Sequence, residues 1–148
     1  MRFDRFTAKL QQALSDAQSI AVGRDHSSIE TVHLLLALLQ QKDGSVSPLL
    51  KQAGANIATL DKKLTEQLER VATLKNPTGE VQVGQDLQRV FNLTDKLAQQ
   101  RQDQFIASEL VLLAIMDAGG DTAKSLQQAG VDKARLQHAI QQLRGDEP

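Results

Sequence analysis

Apolar residues recur at three- and four-residue steps along most of this chain. Phe6, Leu10, Ala13, Leu14, Ala17, Ile20 and Ala21 make one stripe, as expected of an amphipathic helix with a single buried face. From about Thr31 to Gln40 the run VHLLLALL is apolar on nearly every side, which predicts a short helix enclosed all round. Ser47-Pro48 reads as an N-cap followed by proline at the first helical position, opening a short helix that ends before Gly54. Asn56 is placed to cap a helix whose stripe is Ile57, Leu60, Leu64 and Leu68. The pattern then lapses, and residues 70–83, with Lys75-Asn76-Pro77-Thr78-Gly79, read as a linker or long loop. Val81-Gln82-Val83 alternates but is too short to predict a strand.

Beyond the loop the pattern repeats. Leu10-Gln11 recurs 77 residues on as Leu87-Gln88, and at that offset Ala21 meets Ala98, Arg24 meets Arg101, Ile29 meets Ile106 and Leu35-Leu36-Ala37 meets Leu112-Leu113-Ala114. One deletion later the offset is 76: Leu50 meets Leu126, Gln52-Ala53-Gly54 meets Gln128-Ala129-Gly130, and Asn56 meets Asp132 at the equivalent N-cap. The expected fold class is therefore all-α: a tandem duplication of a four-helix unit, about eight helices in all, with two repeats packed about a pseudo-twofold. One domain over 1–148 divides into repeat one at about 4–70, a linker at about 71–82, repeat two at about 83–144, and the start of an interdomain linker at 145–148. A merged core should form on the helices around 34–39 and 111–116.

Composition narrows the function classes. With 148 residues the chain is long enough for a core without staples. It has no Cys, which excludes disulfides, thiolate–zinc sites and a Cys nucleophile. Lys+Arg 17 against Asp+Glu 18 leaves no basic footprint for nucleic acid, and four Phe with no Trp or Tyr make no base-stacking platform. MRFDRFTAKL lacks the apolar core of a signal peptide, and the longest apolar run, Leu34 to Leu39, is far too short to span a membrane. The expectations are a cytoplasmic protein with no membrane partner, monomeric as an isolated chain.

Catalytic patterns are missing from the sequence. His26, His33 and His138 show no HExxH spacing, and His33 reads as a partly buried histidine at a helix start. There is no GxSxG elbow, no GxxxxGKS or GxxxxGKT loop and no GxGxxG, and Gly119-Gly120 reads as a helix end and turn. These residues point to a helical interaction module, with no catalytic and no metal-ligating residues.

Particular strings carry a resemblance. They are Met1-Arg2 with Asp4-Arg5 and Thr7, Ala13-Leu14 with Asp16-Ala17-Gln18-Ser19, Ile29-Glu30, His33-Leu34, Ala37-Leu38-Leu39 and Gly44-Ser45-Val46-Ser47-Pro48-Leu49-Leu50. The second half adds Gln85-Asp86-Leu87, Arg89-Val90, Asn92-Leu93, Asp95-Lys96-Leu97-Ala98-Gln99, Phe105-Ile106 and Ser108-Glu109-Leu110. Together they resemble the N-terminal domain of the Clp family of AAA+ unfoldases, and most nearly its bacterial disaggregase branch. The resemblance implies a hexameric, ATP- and magnesium-dependent parent that threads aggregated polypeptide through a pore, with a DnaK-type chaperone as partner. This chain would be its non-catalytic domain, holding no cofactor, joined to the AAA+ ring and binding exposed apolar segments of unfolded or aggregated clients. The matching groove positions are Leu93, Leu97 and Leu110, and the matching polar positions are Thr7, Asp103 and Glu109. A related branch reads phosphoarginine with a Glu in each repeat. Here the first-repeat position is Val32 and only Glu109 remains, which counts against that activity. The alternative within the family is docking of a small folded adaptor, as on the protease-linked unfoldases.

Overall fold

The computed structural model describes residues 3–145. Met1-Arg2 and, Gly145 aside, the expected linker start at 145–148 lie outside the described residues. A 3-10 turn, Phe3–Arg5, precedes α1 (Ala8–Gly23), β1 (Ser28–Ile29), α2 (Thr31–Gln40), α3 (Val46–Gln52) and α4 (Ile57–Arg70). Then come β2 (Gln82–Val83), α5 (Gln85–Arg101), α6 (Ser108–Ala118), α7 (Gly120–Gln128) and α8 (Lys133–Arg144).

Local chemistry sets the helix ends. Thr7 Oγ1 accepts from the Leu10 N–H at 3.3 Å, Asn56 Oδ1 from Thr59 at 3.0 Å and Asp132 Oδ2 from Arg135 at 2.9 Å, each satisfying an orphan donor of a first turn. Gly119 (φ 72°) and Gly120 (φ 85°) make the turn between α6 and α7. α3 differs from expectation. It opens at Val46 after Ser45, so Pro48 is its third residue, where its missing N–H still costs nothing because first-turn N–H groups have no intrahelical acceptor.

The duplication appears as reciprocal bonds. β1 and β2 pair in parallel, Ser28 opposite Gln82 and Ile29 opposite Val83. The matching bridge joins Phe6 to Ile106, so each half lends its entry segment to the other. No strand was expected here, because two-residue pairings between distant segments leave no periodicity to read. Asn56 N–H donates to Ala129 O at 2.8 Å, and Asp132 N–H donates to Ala53 O at 3.0 Å. Gly54 and Gly130, both at φ +106°, face each other where the pseudo-twofold passes. A Cβ on Gly54 would come within 2.6 Å of the Gly130 carbonyl oxygen, and one on Gly130 within 2.5 Å of that of Gly54.

The core is centred on α2 and α6, which bury Thr31 to Leu38 and Ser108 to Ile115 respectively. α1 packs on α2 and α5 on α6, while α4 meets α7 and α3 meets α8 across the repeats. Phe3, Phe6 and Phe91 form a triad with ring centroids 5.3–5.5 Å apart, Phe3 edge-on to Phe91 and the other two pairs tilted, fastening the N-terminal turn to α5. Gln67 of α4 clips α7: its amide donates to the Asp121 carbonyl at 3.2 Å and to Ser125 Oγ, and it accepts from Thr122 Oγ1 at 3.1 Å. Residues 72–80 are exposed, but the segment is tied down by Ser27 N–H to Ala72 O and Leu74 N–H to Asp25 O.

Candidate functional site

α5 buries Leu87, Val90, Phe91, Thr94 and Ala98. Leu93 and Leu97, one turn apart, lie at the edge of that stripe: both pack against the core and both keep part of their surface in solvent. Leu110 differs from its expected place in a surface groove. It is 0% exposed, because α6 is a core helix surrounded by other elements, and it presents nothing to a partner in this structure. Among the described residues the most exposed large apolar side chain is Phe105 (62%) in the α5–α6 turn, followed by Leu143 (53%) on α8.

The polar positions converge. Asp103 follows Gln102, whose left-handed conformation (φ 59°) turns the chain out of α5. Glu109 stands in the first turn of α6. The two carboxylates meet on one cation: Arg144 Nη1 donates to Asp103 Oδ2 at 2.9 Å and Arg144 Nε to Glu109 Oε1 at 3.1 Å. These side chains are 25%, 18% and 11% exposed, so the charges are largely shielded from water. Burial alone would favour the neutral guanidine, but the Asp103 hydrogen bond and the Glu109 charge outweigh it and raise the Arg144 pKa above its ordinary value. On the other side Arg5 Nη2 donates to the Asp103 carbonyl at 2.8 Å, Arg5 Nε to that of Gln104 at 3.2 Å, and Arg5 Nη1 reaches Asp95 Oδ1 at 3.4 Å. Thr7 adjoins the cluster through its N–H to Ile106 O bond at 2.9 Å, while its hydroxyl serves the α1 cap.

The equivalent place in the first repeat is built differently. His26, 77 residues before Asp103, and His33, 77 before Leu110, form a buried pair with Nδ1 of His26 2.8 Å from Nε2 of His33. His33 was expected to be partly buried and is fully so. The Glu30 N–H donates to His33 Nδ1 at 2.7 Å, which assigns the His33 proton to Nε2, donating to His26. Desolvation, with the neighbouring His26, pushes the His33 pKa down to about 4, and burial also lowers that of His26. A cavity of about 520 Å³ at the repeat junction is lined by Glu30, Thr31, Gln67, Asp86, Arg89 and Thr122, among others. The hydrogen bond that the Glu30 carboxyl shares with Asp86, with desolvation, raises the Glu30 pKa to about 7. None of the six expected site residues lines this cavity.

Among the described residues no group of three or more His, Asp or Glu is arranged to hold a metal ion, and no helix is long and apolar enough to cross a membrane. His138 is exposed on α8. Sequence reasoning missed Arg5, Arg144 and the histidine pair. Repetition of Ile29 at Ile106 gave the register for both helix entries, but it did not say which side chains would close on one another there.

Fold and site together define a two-repeat helical domain with a half-open apolar helix edge beside a guanidinium–carboxylate cluster. Residues 5–129 match the family described as the Clp repeat (R) N-terminal domain, and the chain belongs to that family. It is 54% identical over 145 residues to the chaperone protein ClpB of Pseudomonas putida, covering 98% of this chain and 17% of that protein's length. ClpB of Vibrio cholerae is 44% identical over 145 residues, again covering 98% of this chain and 17% of the relative. The Hsp104 N-terminal domain from Candida albicans superposes with a TM-score of 0.83 at 20% identity, covering 96% of this chain and 93% of that one. A ClpV N-domain solved in complex with a VipB peptide superposes with a TM-score of 0.72 at 19% identity, covering 94% and 86% of the two chains.

Proposed function

We propose that this chain is the client-binding N-terminal domain of a ClpB-type protein disaggregase, and that it captures exposed apolar segments of unfolded or aggregated proteins. The observation that carries this reading is the placement of Leu93 and Leu97, which keep apolar surface open at the edge of a rigid helix. Thr7, Asp103 and Glu109 shape the polar side of the same region. The 54% identity to a ClpB chaperone and a peptide-bound relative of the same fold support it. Each leucine contributes up to about 1.5–3 kcal/mol when fully buried against a client, so two or three contacts leave only weak binding once association costs are subtracted. Weak capture suits a domain that must pass its client on. ATP, magnesium, the AAA+ ring and a DnaK-type partner belong to the rest of the longer, cytoplasmic protein. This chain holds no cofactor and works as a monomeric module.

The test is an NMR titration with a permanently unfolded protein. Shifts should concentrate in segments 90–97 and 105–110 and leave the surface of α1 to α4 quiet. Shifts centred on the repeat-junction cavity, or spread evenly, would show that the groove lies elsewhere.

A further inference from the structure

Asp103 and Glu109 are spent on a partner within the chain. Asp103 Oδ2 and Glu109 Oε1 each accept from Arg144, at 2.9 and 3.1 Å, and all three side chains are at least three-quarters enclosed. Arg144 is the last residue of α8, followed by Gly145 at φ +70°. Asp103 lies in the turn leaving α5, and Glu109 in the first turn of α6. The second repeat alone has this arrangement: 76 residues earlier Leu68 stands in place of Arg144, and 77 earlier His26 and Val32 stand in place of Asp103 and Glu109. Elsewhere α8 is held by apolar residues, Leu136, Ala139 and Ile140, which end a full turn before Arg144. The final turn of α8 therefore depends on this ion cluster.

We infer that Arg144 is the residue through which Asp103 and Glu109 act: the two carboxylates clamp the end of α8 to the α5–α6 turn, and do not themselves touch a client. The clamp fixes Phe105 on the turn and Leu143 on α8 relative to each other, and sets the direction in which any following chain leaves the helical body. Arg5 completes it from the opposite side by holding the Asp103 and Gln104 carbonyls, so the turn cannot move away with Asp103. A guanidinium suits this role because its Nε and Nη donors can serve two carboxylates at once, which an ammonium meets less well.

The inference rests on the client-binding reading only for its affinity measurement. Amide hydrogen exchange on the 148-residue chain reads the clamp directly. Arg144→Met and Asp103→Asn should each lower protection of the Gln141 to Gly145 amides by about tenfold relative to those of α6, and the two together should lower it no further. Arg144→Lys should recover part of the loss. Arg144→Met, Asp103→Asn and the double variant should change affinity for a permanently unfolded protein by one common factor, and Arg144→Lys by less. Unchanged protection in Arg144→Met overturns the inference, as does a lysine variant as unprotected as the methionine one. So does any further loss of client affinity when Asp103→Asn is added to Arg144→Met, since that would mark Asp103 as a direct contact. If the wild-type chain binds no unfolded protein, the client-binding reading fails, and the exchange measurement still decides the clamp.

Discussion

At the entry to α2 the neutral pair of His26 and His33 has no place for a second proton. His33 Nδ1 already faces the Glu30 N–H at 2.7 Å, and its Nε2–H is aimed at His26. In the unfolded chain both imidazoles take up protons below pH 6.5, whereas folded His33 stays neutral down to about 4. Its contribution to stability is thus fully present above pH 6.5 and is lost as pH falls toward 4, by roughly 3 kcal/mol at the limit. Glu30 works in the opposite sense. Its raised pKa of about 7 gives stability present below 4.5 and lost as pH rises through 7. Wild-type stability between pH 5 and 7 mixes the two, so a difference isolates the histidine. His33→Leu, which copies Leu110 at the equivalent position, should cost about 1–3 kcal/mol at pH 8, because the Glu30 N–H and His26 Nδ1 lose their partner. It should also lose less stability than wild type between pH 8 and pH 5, as measured by urea unfolding. Identical losses in the two proteins would show that His33 is not the titrating group.

The elements were legible where their cause is local. The α1 stripe buries Leu10, Ala13, Ala17 and Ala21 as its spacing predicts, and Asn56 and Asp132 cap the helices they precede. The α3 start was misread by two residues because Ser45 and Ser47 offer the same signal. Contacts at long separation left no trace. Arg5 meets Asp103 98 residues away and Arg144 meets it 41 away, and nothing in a helical period says which charged residues will face one another. The same holds for Leu110: an apolar residue at a helix start reads alike whether the helix is central or peripheral, and the enclosure of α6 decides it. The duplication, by contrast, is legible in the repeated residues themselves, and it makes a sharp prediction at the element junctions. Gly130→Ala puts a Cβ at φ +106° against the Gly54 carbonyl, and the atoms it meets are backbone, which cannot swing aside. It should cost at least about 2 kcal/mol in urea unfolding. Gly23→Ala, at a glycine with open space around it, should change stability by only about 0.5 kcal/mol. Equal effects would mean that the two halves do not meet at the 54–130 contact.

For the whole molecule, two repeats share one core, yet they differ where function is proposed. The first repeat closes its α2 entry with neutral histidines. The second closes its α6 entry with Arg144, Asp103 and Glu109, and beside it α5 leaves Leu93 and Leu97 half open. Half-open apolar residues lie on both outer helices, Leu14 and Ile20 on α1 and Leu93 and Leu97 on α5, so client capture is assigned to the second repeat because there they stand beside the guanidinium–carboxylate cluster, on a scaffold belonging to the Clp repeat N-terminal domain family. Leu93→Gln combined with Leu97→Gln tests it most directly, with affinity for a permanently unfolded protein and far-ultraviolet circular dichroism measured on the same sample. Client capture by this helix edge predicts an intact helical spectrum and affinity lowered at least about tenfold. A folded double variant that binds as wild type does would contradict it, and an unfolded one would show that the two leucines serve the core.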